Sequence, residues 1–183
     1  MPTYISFLKG INVGGQKSIR MPDLKALYEA MGFKDVITYV QSGNVVFDSG
    51  DFDPIKIGAA IEAEIERRFS FHVSVILRDR NDFQRILDGN PFVHSRNEDP
   101  STLHVTFLSK SPSTEMVNGM KIPTGIEDEC VLSGKEIYLF CPNGYGRTKL
   151  SNSFFERKLN VLATTRNWRT VVAMYAVISS YNQ

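Results

Sequence analysis

Four stretches of this chain carry residue types that could hold a small anion. In Gly10-Ile11-Asn12-Val13-Gly14-Gly15-Gln16-Lys17 the glycines remove side-chain bulk, so backbone N–H groups can approach a ligand closely, and Lys17 adds a positive charge. Gln41-Ser42-Gly43-Asn44 supplies two amides and a hydroxyl. Asn143-Gly144-Tyr145-Gly146-Arg147-Thr148-Lys149 combines an aromatic platform, two cations and a hydroxyl, the parts that grip a phosphate or carboxylate and stack on a flat ring. Thr164-Thr165-Arg166-Asn167-Trp168-Arg169 is read as a helix start, where free N–H groups and the dipole favour negative charge. Two arginines there do nothing for the helix itself, because cations stabilise the opposite end.

Each stretch also has a plainer reading. The first is a strand-to-helix connection needing glycine for its dihedrals, the second a hairpin turn, and the third a surface loop. In the fourth, Arg166 and Arg169 would pair with nearby acids while Trp168 packs in the core.

Covalent and metal chemistry find less support. His72, His94 and His104 have no metal-ligand spacing. No serine or cysteine lies in a nucleophile-elbow setting or beside a recognisable base, so no catalytic residue, metal or cofactor is assigned. Gly10-x-x-x-Gly14-Gly15 fits neither the dinucleotide fingerprint nor a Walker loop. Any catalysis would rest on charge stabilisation of a transferring phosphoryl or acyl group by the donors above.

The elements that must position these residues follow from periodicity. Thr3 to Leu8 reads as a buried strand running into the glycine loop. A helix then opens at Pro22, carries Leu24, Leu27, Tyr28 and Met31, and ends at Gly32. Val36 to Gln41 and Val45 to Asp48 form a hairpin. Asp53-Pro54 caps a helix with the row Ile57, Ile61, Ile65 and Phe69, and Val73 to Leu77 is another strand. Asp79 or Asn81 caps a short helix that Gly89-Asn90-Pro91 ends. Thr102 to Leu108 is a strand, Ser111-Pro112 opens a short helix, Glu127 to Ser133 and Glu136 to Cys141 form a second hairpin, and a helix begins at Asn152 or Ser153. A final helix from Trp168 to about Ser179 is capped by Asn167.

That order predicts an α+β protein of two ferredoxin-like (βαββαβ-type) subdomains with mainly antiparallel sheets, plus a C-terminal helix. The expected divisions are 1–78, a connecting helix and linker over 79–100, and 101–183. The chain's 183 residues, 42% of them hydrophobic, suffice for a substantial core and exclude disorder.

Net charge is +1, so no global field draws the molecule to nucleic acid. Locally, residues 144–170 hold Arg147, Lys149, Arg157, Lys158, Arg166 and Arg169 against Glu156 alone, while Glu127 to Glu129 form one of several acidic clusters. Apolar runs such as Val171 to Ile178 are too short to cross a bilayer, and Met1-Pro2-Thr3-Tyr4 has no cationic segment leading into an apolar one. In the hairpin registers that Ser133-Gly134-Lys135 allows, Cys141 lies beyond the position where a disulfide with Cys130 could form. Free thiols suit a reducing compartment, so the expected location is cytoplasmic.

Leu8-Lys9-Gly10-Ile11-Asn12-Val13-Gly14-Gly15, Met21-Pro22-x-Leu24, Thr38-Tyr39-Val40-Gln41-Ser42-Gly43-Asn44-Val45-Val46-Phe47, Gly144-Tyr145-Gly146-Arg147-Thr148-Lys149-Leu150 and Ala163-Thr164-Thr165-Arg166-Asn167-Trp168 together resemble the bacterial family known as domain of unknown function 1697. The resemblance spans essentially the whole chain. It implies a compact, cytoplasmic α+β domain with ferredoxin-like parts, and no activity.

The functional expectation is a small anionic ligand, phosphate- or carboxylate-bearing and nucleotide-like in its widest form, held where the Gly10, Asn143 and Thr164 loops converge. Its candidate residues are Asn12, Gly14, Gly15, Lys17, Gln41, Ser42, Asn44, Arg147, Lys149, Arg166 and Asn167. The alternatives are a nucleic-acid-binding module using the basic 144–170 region and a protein-interaction domain with no ligand. Oligomeric state is not legible, and no membrane partner is expected.

Overall fold

A computed structural model describes residues 1–51 and 53–180. The elements are β1 (Thr3–Leu8), α1 (Met21–Ala30), β2 (Lys34–Tyr39), β3 (Asn44–Asp48), α2 (Pro54–Phe69), β4 (Val75–Asp79), α3 (Arg80–Asp88) and α4 (Pro91–His94). They continue with β5 (Leu103–Leu108), α5 (Thr114–Gly119), β6 (Glu129–Ser133), β7 (Glu136–Phe140), α6 (Asn152–Leu159), β8 (Ala163–Asn167) and α7 (Trp168–Ser180). The chain forms two compact units: residues 1–84 with those from Met174 onward, and Arg85–Ala173.

Each unit holds a four-stranded antiparallel sheet, ordered β2-β3-β1-β4 and β6-β7-β5-β8. With a helix after the first strand and another after the third, each is a ferredoxin-like βαββαβ fold. In the first unit Tyr4, Leu8, Val45 and Phe47 pack against Leu24, Leu27 and Tyr28 of α1 and Ile57, Ile61 and Ile65 of α2. The i, i+4 isoleucine row of α2 is therefore the core face that its spacing predicts. Asp53 accepts from Ile55 N and Lys56 N to cap that helix. In the second unit Leu108, Ile137 and Leu139 pack against Phe154, Phe155 and Leu159 of α6.

The strand β8 differs from the sequence reading, which began a helix directly after a Thr164–Asn167 loop. Ala163–Asn167 is polar and short, so alternation does not mark it as a strand. It is nevertheless paired along its length with β5, from His104↔Asn167 to Leu108↔Ala163. Asn167 does cap α7, its Oδ1 accepting from Thr170 N at 2.8 Å.

The two units match residue for residue at this corner. Arg78 of β4 lies opposite Ile5, the third residue of β1, and Arg166 of β8 lies opposite Val105, the third residue of β5. Both arginines are buried, at 2% and 8% exposure, and both donate to the preceding carbonyl, of Leu77 at 2.8 Å and of Thr165 at 2.9 Å. The next residue caps the following helix in each case: Asp79 Oδ1 accepts from Asp82 N as Asn167 Oδ1 does from Thr170 N, both at 2.8 Å. A repeat absent from the wider sequence thus survives as Arg-Asp/Asn at a strand-to-helix corner.

Cys130 faces Leu139 across the Gly134-Lys135 turn, and both cysteines are free. Among the described residues no helix is long and apolar enough to cross a membrane.

Candidate functional site

In the first unit the structure brings two of the four stretches together. Gly14 and Gly15, with φ of 59° and 73°, form the two-residue turn of a miniature hairpin closed by Gln16 N→Val13 O at 3.0 Å and Asn12 N→Lys17 O at 3.2 Å. Asn12 docks this hairpin. Its Nδ2 donates to Ile19 O at 2.9 Å and to Gln41 O at 2.8 Å, while its Oδ1 accepts from Ile19 N at 2.9 Å. Gly43 makes the close approach possible, since a Cβ there would lie 2.6 Å from Ile11 Cδ1 and 2.8 Å from Leu8 Cβ.

The other candidates here also have protein partners. Asn44 is buried and donates to Tyr39 O and Ser42 Oγ, and Lys17 Nζ donates to His72 O at 2.8 Å. The Gln41 side chain is exposed.

In the second unit Asn143–Lys149 and β8 border one end of the sheet. After β7, Gly144 N bonds back to Cys141 O, and a 3-10 turn over Tyr145–Arg147 is closed by Thr148 N→Tyr145 O at 3.1 Å. The Tyr145 ring stacks on His104, with centroids 4.9 Å apart. Burial raises the Tyr145 pKa and lowers that of His104, so both rings stay neutral at pH 7. Beside them Thr165 donates to Asn152 Oδ1 at 2.7 Å, which leaves the Thr106 hydroxyl to donate to Thr165 at 2.7 Å.

Arg166 lies within this sheet rather than on an exposed helix start. It donates to Thr164 Oγ1 and Thr165 O, and burial pushes its pKa down to about 10, leaving it protonated at neutral pH. Arg147 and Lys149 are exposed.

Arg147 lines a cleft of about 440 Å³ between residues 125–128 and Asn143-Gly144. Glu127 and Asp128 also line it, yet neither pairs with Arg147. Asn143 Nδ2 donates to Glu127 Oε2 at 2.6 Å, and Thr148 Oγ1 donates to Asp128 Oδ2 at 2.7 Å. Thr148 Oγ1 also accepts from Leu150 N at 3.0 Å, so this hydroxyl is oriented by the loop's own backbone. Among the described residues Arg147 has no acid or hydrogen-bond partner for its guanidinium. Sequence reasoning missed Glu127, Asp128 and Asn143 as parts of one site. The acidic run at 127–129 was visible, but only the fold sets it beside the Asn143–Lys149 loop.

Among the described residues no group of three or more His, Cys, Asp or Glu side chains could hold a metal ion. The family model described as "Protein of unknown function (DUF1697)" matches residues 1–138. The chain belongs to that family. The DUF1697 chain is also similar to a solved structure, the conserved bacterial protein SP0830 from Streptococcus pneumoniae. The two share 22% identity with a TM-score of 0.73, over 97% of this chain and 98% of that one. That likeness supports the fold. No curated protein matches.

Proposed function

We propose that this DUF1697 protein binds a small ligand bearing a carboxylate or phosphate in the cleft between residues 125–128 and 143–147, with Arg147 as the anion's partner. One observation carries the reading: Arg147 lines a cleft of about 440 Å³ and has no acceptor among the described residues, although two carboxylates line the same cleft. A guanidinium presents a planar fork that matches a carboxylate or phosphate. Asn143 and Thr148 support the reading by engaging Glu127 and Asp128, so that neither acid is spent on Arg147. Lys149, exposed two residues on, adds positive potential to the same loop.

The test is a thermal-shift series with mono- and dicarboxylates, sugar phosphates, nucleotides and short oligonucleotides, on the wild type and Arg147→Ala. A ligand at about a hundred times its Kd adds about 2.7 kcal/mol to the folded state, a readily measured rise in midpoint. The expected result is a rise with one class of small anion that Arg147→Ala abolishes. Equal shifts in both proteins, or none in either, would overturn the proposal. Oligonucleotide binding with a steep salt dependence would favour the nucleic-acid alternative instead.

A further inference from the structure

The cleft that holds Arg147 has a net charge of the wrong sign for a simple anion. Glu127 and Asp128 contribute two negative charges and Arg147 one positive, so the lining sums to −1. A ligand with only a carboxylate or phosphate would be drawn to Arg147 and repelled by Glu127 and Asp128. Among the described residues neither carboxylate pairs with a cation, and each takes its hydrogen bond from an uncharged donor, Asn143 or Thr148. Those bonds engage Oε2 of Glu127 and Oδ2 of Asp128. The other oxygen of each carboxylate accepts from no described residue. Opposite charges therefore line one cleft, and among the described residues neither the second oxygen of each carboxylate nor the Arg147 guanidinium has a partner.

We infer that the ligand is a zwitterion, an amino acid or a similar amine-bearing acid, whose anionic group engages Arg147 and whose ammonium group donates to Glu127 and Asp128. The inference rests on the anion-binding reading of the same cleft and adds the second charge. An ammonium group has three donors and suits two carboxylates with unfilled acceptor sites. With it bound, Arg147 meets an anionic group and the two carboxylates share one ammonium, so the ligand leaves the net charge of the cleft at −1 where a simple anion would lower it to −2 or below. Asn143 and Thr148 are positioning residues, fixing the carboxylates before the ligand arrives.

Calorimetry with matched compounds tests this: glutamate against glutarate, phenylalanine against 3-phenylpropanoate, and each amino acid against its methyl ester. 4-Aminobutanoate probes a wider spacing of the two charges. At least one amino acid is expected to bind about tenfold or more tightly than both its deaminated acid and its ester, the factor one charge-assisted hydrogen bond supplies. Glu127→Gln and Asp128→Asn keep an oxygen to accept from Asn143 and Thr148, so far-UV circular dichroism and the thermal midpoint should change little. These variants should shrink the preference to about threefold or less while leaving the deaminated acid bound equally or better. Glu127 is exposed, so its variant alone decides the matter if Asp128→Asn disturbs the loop. Deaminated acids that bind as well as amino acids, with loss in Arg147→Ala, would overturn the zwitterion and leave the anion site standing. Binding that is absent from the wild type, or indifferent to Arg147→Ala, would overturn both.

Discussion

Replacing Asn12 with alanine removes, in one change, the contacts that dock the glycine hairpin. Three hydrogen bonds disappear: two from Nδ2 to Ile19 O and Gln41 O, and one from Ile19 N to Oδ1. At about 1 kcal/mol net each, with the solvent-exposed Gln41 bond discounted, the loss is about 2 kcal/mol. Asn12 also sits at φ 54°, a left-handed conformation that asparagine tolerates and alanine resists by about 1 kcal/mol. The sum is about 3 kcal/mol, or a shift of about 1–2 M in the urea midpoint followed by far-UV circular dichroism. Asn12→Gly should recover about 1 kcal/mol by relieving the backbone while leaving the hydrogen bonds lost. Amide exchange supplies a local readout, since the Ile19 N–H loses its acceptor and should exchange faster in both variants. A destabilisation below about 0.5 kcal/mol with Ile19 exchange unchanged would refute the docking argument. Unchanged stability with lost ligand binding would assign Asn12 to a ligand instead.

Four further outcomes follow from particular contacts. Gly43→Ala, which places a methyl group 2.6 Å from Ile11 Cδ1 at a φ of +80°, should cost about 2–3 kcal/mol in chemical denaturation. Tyr28→Phe removes the 2.9 Å bond between the Tyr28 and Ser6 hydroxyls inside the first core and should cost about 1 kcal/mol in the same assay. Burial pushes the Cys130 and Cys141 thiols up to about 11, so at pH 8 only about one thiol in a thousand is ionised. Mass spectrometry should show slow alkylation of the folded protein and rapid double alkylation in urea. Asp99 is held below the ordinary carboxylate range, first by the Ser101 backbone N–H and more weakly by Arg169. Its folded pKa is depressed, so its stabilising contribution is present above the unfolded value and is lost as pH falls through the folded one. Carbon-detected NMR titration should find Asp99 below the usual range, with Arg169→Ala raising it only part of the way.

The amino-acid pattern alone determined the two ferredoxin-like halves, because those signals are local. The Ile57-Ile61-Ile65 row, the Asp53-Pro54 cap, a turn within Ser133-Gly134-Lys135 and the Asn167 cap each act within a few residues, and the strand register alone chose Gly134-Lys135. The family was legible because its motifs are short contiguous runs, over residues 8–15, 21–24, 38–47, 144–150 and 163–168. Element boundaries slipped where the ladder rather than composition sets the end: Val73 is buried in the first core, yet pairing begins at Val75. Strand β8 escaped notice because Ala-Thr-Thr-Arg-Asn has no apolar alternation and becomes a strand only against β5.

The role of each candidate side chain was likewise decided by tertiary structure. Asn12 and Asn44 look like ligand donors in sequence, but their amides meet backbone carbonyls that folding brings from 7 and 29 residues away in one case and 5 in the other. Arg166 resembles an exposed cation until β8 places it in the sheet at 8% exposure. Arg147 shows the reverse. Its type announces an anion partner, but only the fold sets it in one cleft with Glu127 and Asp128 while giving those acids neutral partners. Residue type determines which charges are present; distance and burial determine which of them are already matched, and both are long-range properties that no short stretch of sequence contains.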